Sequence, residues 1–172
     1  MKLIFPYKIW QILYHLCKDR PKEWTLIGKI AENPENRMEV RVVDLYVPEQ
    51  TNSGGSTVVS PEDVTKIPFE LIEKGEKPSE WALWIHSHNS MQGSFSGRDY
   101  AQMTEFIEEH ELDSMFSFVI GVPKYGEKNG QLTSQACLTI RKPYLVNIEI
   151  ETVLEGNDEV PGLEEYMGQV DA

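Results

Sequence analysis

Residues 81–88, Trp-Ala-Leu-Trp-Ile-His-Ser-His, constrain this chain more than any other stretch. They read as a strand with apolar side chains on both faces, and such a strand is stable only when both faces are covered. The chain must therefore build a sheet with packing on either side. Around it, residues 7–19 carry Ile9, Leu13, Leu16 and Cys17 at helical spacing, and Pro21 closes that helix. Residues 23–30 and 37–47 read as a strand pair turning around Asn33-Pro34-Glu35-Asn36. Ser60 caps a further helix with Pro61 at its first position, and Pro68 is expected to kink it. Another helix runs from Ser96 to about His110. Two strands flank the hairpin signal Asn129-Gly130, and residues 144–153 form the last strand. Residues 51–55, Thr-Asn-Ser-Gly-Gly, lack the Lys and helix of a phosphate loop and read as a plain linker.

A length of 172 residues fits one domain, placed at 1–154, followed by an acidic tail at 155–172 that reads as frayed or partly helical. The net charge of −12 argues against a surface that tracks nucleic-acid phosphates or an anionic membrane. Cys17 and Cys137 form no CxxC pair, and no stretch reads as a signal peptide or a bilayer span. The expected location is the cytoplasm.

The chemistry gathers between His86 and Asp99. Residues two apart on a strand point the same way, so His86 and His88 present both imidazoles on one face. Asp99 arrives from the first turn of the following helix. Two imidazoles and one carboxylate leave a fourth tetrahedral position for water, the layout of a catalytic zinc. Each part has a plainer reading. Ser96 and Asp99 make a capping box, and Ser60 and Asp63 repeat that pattern with no histidine nearby. A His-x-His pair alone is usually two hydrogen-bonded histidines. The combination decides otherwise: two of four histidines end a buried strand, on the face that carries Ala82 and Trp84. Imidazoles there need partners, and one metal satisfies both.

His-x-His, seven residues, then Ser-x-x-Asp resembles the JAMM (MPN-domain) metallopeptidases, and every fixed position is filled. The form His-Ser-His-Asn-Ser-Met, without proline after the second histidine, is most similar to prokaryotic and viral single-domain members. The resemblance covers residues 7–150. It implies an α/β fold, the MPN (JAB) domain: a mixed, curved β-sheet flanked by helices, with deaminase-like layering. It also implies one Zn2+ per chain on His86, His88 and Asp99, and a catalytic glutamate upstream of a strand and its glycine. Glu23, ahead of Gly28, fits that place, with Glu32, Glu35 and Glu39 as alternatives. Glu23 would act as general base and Ser96 as hydrogen-bond donor to the oxyanion. The implied activity is hydrolysis of the amide bond after the C-terminal tail of a ubiquitin-like protein. The alternatives are a non-catalytic MPN scaffold and a metallohydrolase for a small or sulfur-carrier substrate. The implied partner is the ubiquitin-like protein or its conjugate, and many MPN domains form homodimers.

Other zinc and thiol chemistries fit less well. Nucleobase deaminases need His-x-Glu and Pro-Cys-x-x-Cys, and no such cysteine pair exists here. Eight-stranded barrel hydrolases that open with His-x-His need about 250 residues. Cys17 and Cys137 read as core residues rather than nucleophiles.

Overall fold

The computed structural model describes residues 1–52 and 55–156. The elements run β1 (Lys2–Pro6), α1 (Tyr7–Asp19), β2 (Thr25–Asn33), β3 (Asn36–Tyr46), the short β4 (Thr51–Asn52) and β5 (Thr57–Val58), and α2 (Pro61–Glu73). They continue with β6 (Leu83–Asn89), α3 (Gly97–Glu109), β7 (Ser114–Gly121), β8 (Thr133–Ile140) and β9 (Val146–Glu155). Seven strands form a closed barrel in the order β1-β3-β2-β6-β7-β8-β9, and β4 and β5 pair separately.

This closure corrects the expected MPN (JAB) fold, a mixed, curved β-sheet flanked by helices in deaminase-like layers. The cause is β1, which pairs in parallel with β3 on one side and with β9 on the other. The two strands that would have been edges are thereby satisfied, and closure removes the unpaired backbone an edge exposes.

Alternation divides each strand between two faces. Leu26, Leu83, Ile85, Phe118 and Ile120 face one side, in a single core with Ile9, Leu13, Leu16 and Cys17 of α1. That helix touches β1, β3, β6, β7 and β9, strands all round the barrel, so it fills the inner side. Each large apolar side chain buried there stabilises the fold by about 1.5–3 kcal/mol. On the outer face, α2 lays Ile67 and Leu71 against Ile27, Trp81 and Trp84. Helix α3 lays Met103 and Ile107 against Met115. The doubly covered strand inferred from residues 81–88 is β6, flanked by β2 antiparallel and β7 parallel.

Other local expectations are revised. Helix α2 passes through Pro68 as one element, with the proline on its exposed side. The strands around Asn129-Gly130 pair as expected, but through a longer connection, residues 122–132, closed by Gly130 N–H donating to the Pro123 carbonyl at 2.7 Å. The 51–55 linker carries β4 and leads into β5. Most of the acidic tail lies outside the described residues. Among the described residues, no helix is long and apolar enough to cross a membrane.

Candidate metal centre

The site forms at the carboxyl end of β6, on the barrel's outer face. Strand β6 alternates strictly, with Leu83, Ile85, Ser87 and Asn89 buried and Trp84, His86 and His88 on the other side. Helix α3 starts just beyond and delivers Asp99 from its first turn. Asp99 Oδ1 lies 3.3 Å from His86 Nε2, and Asp99 Oδ2 lies 3.5 Å from His88 Nε2. All three ligand atoms fall within 4.8 Å of one another. Ligands on a tetrahedral ion at about 2.0–2.1 Å sit roughly 3.3–3.4 Å apart, so the two Asp99–His distances are compatible with a shared metal ion.

Hydrogen bonding sharpens that fit. His88 Nδ1 lies 3.1 Å from the Gln92 carbonyl, which can only accept; Nδ1 therefore carries a proton, and in the neutral ring Nε2 keeps its lone pair. His86 Nε2 is buried and, despite its closeness to Asp99, has no well-formed hydrogen bond among the described residues. A buried imidazole nitrogen without a partner is costly, and a metal ion resolves the cost. Burial works against the Asp99 charge, yet His86, His88 and Ser96 outweigh it and hold the carboxyl well below the usual carboxylate range. The Asp99 contact raises His88 above the ordinary imidazole value, with burial opposing and the Gln92 carbonyl assisting.

Ser96 is a cap in full. Its Oγ accepts from Asp99 N–H at 3.2 Å and donates to Asp99 Oδ2 at 2.7 Å, while Ser96 N–H donates to the same oxygen at 2.6 Å. Ser60 repeats only the hydroxyl half of the box on α2, its Oγ accepting from Asp63 N–H and donating to Asp63 Oδ2. The two also differ in surroundings, since Asp99 meets two imidazoles and Asp63 meets none among the described residues. Ser96 also lines the cavity above the site, where its hydroxyl proton is committed to Asp99.

Glu23 lies in the connector between α1 and β2. Strand β2 pairs Thr25 with His86, and extending that register by two residues sets Glu23 opposite His88. Trp24 continues the pairing: its N–H donates to Ser87 Oγ at 2.9 Å, and its carbonyl accepts from Ser87 N–H at 3.0 Å. Glu23 is 6% exposed, and no hydrogen bond reaches its carboxylate among the described residues. Burial raises its carboxyl above the usual range; His88 and Arg98 pull it back, and Asp99 adds to the rise. Glu32, Glu35 and Glu39 sit at the far end of the β2–β3 hairpin, outside the cavity.

The cavity measures about 450 Å3 and includes Glu23, His86, His88, Ser96 and Asp99 in its walls. One wall follows α3 from Asp99 through Gln102 and Phe106 to His110. The facing wall is the segment from Thr57 to Val64, an apolar stretch in Val58, Val59 and Val64. Gln50 links that segment to β2: Thr57 Oγ1 donates to its Oε1 at 3.1 Å, and its amide accepts from Thr25 N–H and donates to the Thr25 carbonyl, both at 2.8 Å. The plain linker of the sequence reading is therefore followed directly by a wall of the site.

Several supporting residues were not visible in the sequence. The loop between His88 and Ser96 is pinned to β8, with Gly93 N–H donating to Thr133 Oγ1 and Phe95 N–H to Gln135 Oε1, each at 2.8 Å. Gly93 and Gly121 let two backbones touch, because a Cβ on Gly93 would stand 2.2 Å from the Thr133 carbonyl oxygen. Gly93 was a readable signal within the motif. Thr133 and Gln135 lie 40 residues from their loop partners and Gln50 lies 25 from Thr25, and no local motif marks any of the three.

No family model and no curated protein matches the chain. Among solved structures, protein DSY2949 from Desulfitobacterium hafniense, determined in solution, is similar over 92% of this chain and 95% of that one. The TM-score is 0.58 and the identity 13%. At that identity the likeness concerns the fold alone, and it extends over nearly the whole of both chains.

Proposed function

We propose that the protein is a zinc-dependent metallopeptidase of JAMM type that hydrolyses the amide bond after the C-terminal tail of a ubiquitin-like protein. One observation carries this reading: a glutamate whose carboxylate has no hydrogen bond among the described residues shares a cavity with two imidazoles and a carboxylate spaced for one metal ion. His86, His88 and Asp99 would hold the ion. When bound there, zinc supplies Lewis-acid polarisation of a carbonyl and makes water acidic enough to attack near neutral pH.

The chain's own groups supply the rest. Glu23, raised by burial, is suited to take a proton from the attacking water. It then delivers that proton to the departing nitrogen as the carbon–nitrogen bond breaks. Ser96 Oγ becomes a donor to the developing oxyanion when its proton turns from Asp99 toward the cavity. The Gln92 carbonyl holds the His88 ring in place throughout.

The cavity's length favours a chain-like substrate over a small adduct. From Asp99 to His110 is eleven helical steps, or roughly 16 Å, which accommodates about five residues of extended peptide. A non-catalytic scaffold gives no reason to keep in the cavity a carboxylate that has no hydrogen bond among the described residues. The free, buried Cys17 and Cys137 agree with a reducing cytoplasm as the proposed location.

The test is hydrolysis by the zinc-loaded protein of fluorogenic amides on extended, glycine-terminated peptides and of linear ubiquitin-like fusions. Glu23→Gln keeps the size but cannot take the proton. It should retain zinc and lose about a hundredfold to ten-thousandfold in turnover. If Glu23→Gln turns over normally, the base is another residue; if the wild type cleaves none of these amides, the reading fails.

A further inference from the structure

Glu23 belongs to no regular element, and yet its placement decides whether it can act. The connector from Arg20 to Trp24 is held to β6 on both sides of Glu23. On the C-terminal side, Ser87 holds Trp24. On the N-terminal side, Asn89 Nδ2 donates to the Arg20 carbonyl at 2.9 Å and also to the Lys22 carbonyl. The two holding residues flank His88 in sequence. Strand β6 therefore uses its alternation twice: His86 and His88 face the cavity, while Ser87 and Asn89 face the connector that carries the base.

Asn89 is built for this place. It is 4% exposed, and its φ of 37° lies in the left-handed region, which asparagine tolerates better than most residues. Its own carbonyl accepts from Val122 N–H at 2.6 Å, tying the end of β6 to the end of β7. A proline here would be confined to φ near −65° and would have no side-chain donor.

We propose that Asn89 is a positioning residue for Glu23, its side-chain amide clamping the Arg20–Lys22 connector so that the carboxylate stays opposite His88. The proposal rests on the metallopeptidase reading for its effect on rate, but not for its structural part.

Asn89→Gly keeps the backbone conformation and removes the clamp. In the zinc-loaded protein it should leave zinc stoichiometry and KM for a glycine-terminated fluorogenic amide unchanged, and lower kcat about tenfold to a hundredfold. Made on top of Glu23→Gln, the same substitution should lower kcat no further, because the group it positions has gone. An equal loss in both backgrounds would make Asn89 merely structural and overturn the proposal. Amide exchange in the zinc-free protein decides the structural part without any substrate. Asn89→Gly should speed exchange at Glu23 and Trp24 and leave Leu26–Gly28 protected; unchanged exchange at Glu23 and Trp24 overturns the proposal. If Asn89→Gly does not fold, the wild type still answers by NMR. Its Asn89 side-chain amide protons should be protected from exchange, and free exchange would overturn the clamp. Absence of any amide hydrolysis by the wild type would instead count against the metallopeptidase reading, with the exchange result standing on its own.

Discussion

Replacing Gly93 with alanine puts a methyl group where the motif loop crosses β8. The new Cβ would lie 2.2 Å from the Thr133 carbonyl oxygen and 2.7 Å from the Gly121 nitrogen. An ordinary carbon–oxygen contact needs about 3.3 Å, so the loop must retreat by about 1 Å. Both partners are backbone, and neither can swing aside. Retreat also pulls Gly93 N–H off Thr133 Oγ1 and shifts the neighbouring Gln92 carbonyl that orients His88. Overpacking of this kind costs about 1–3 kcal/mol, which lowers the melting temperature of a chain this size by about 2–12 °C. Loss of a group that orients a metal-binding histidine should weaken zinc affinity by about 10–100-fold. Gly97→Ala is the internal control: it lies in the same motif, and its Cβ would meet nothing within 4 Å. Thermal melts and zinc titrations of both variants check the reasoning. A Gly93→Ala protein matching Gly97→Ala in both melting temperature and zinc affinity would refute it.

Ser96→Asp should stay folded, because aspartate also caps helices, and should lose turnover as a charge replaces the hydroxyl donor; wild-type turnover in Ser96→Asp would reduce Ser96 to a cap. Ser96→Ala removes both roles and should cost about 1 kcal/mol in a denaturation experiment. The Asp99 carboxyl is depressed in the folded state, so its contribution to zinc-free stability is present above the unfolded value near pH 3.9 and is lost as pH falls below it. His88 is raised, so its contribution is complete below about pH 6.5 and fades as pH rises through the folded value. In zinc-free Asp99→Asn both slopes should flatten, as read by denaturation across pH.

The parts legible in sequence were those with a short period. His86 and His88 share a face because strand alternation is local, and the Ser96–Asp99 box announces its helix within four residues. Glu23 was harder, since its place depends on the Thr25–His86 register across sixty residues of chain. The barrel was not legible. Its closure depends on β1, a five-residue strand ending in Pro6, which alone gives no sign of pairing with both β3 and β9. Distant pairings leave little trace in local pattern, whereas the surfaces they bury do. Val40, Val42 and Ile150 were apolar enough to mark strands without naming their neighbours. Asn129-Gly130 misled in length because its turn sits inside a larger loop, where Gly130 takes a φ of 73°.

Zinc content measured on the purified protein tests the central claim most directly, with metal titration into the stripped form alongside. One zinc per chain is expected in the wild type and none in Asp99→Ala. Zinc at a hundredfold excess over its dissociation constant should stabilise the wild type by about 2.7 kcal/mol, or about 5–10 °C, and leave Asp99→Ala unmoved. Wild-type protein that holds no metal and melts at the same temperature with and without added zinc would contradict the account.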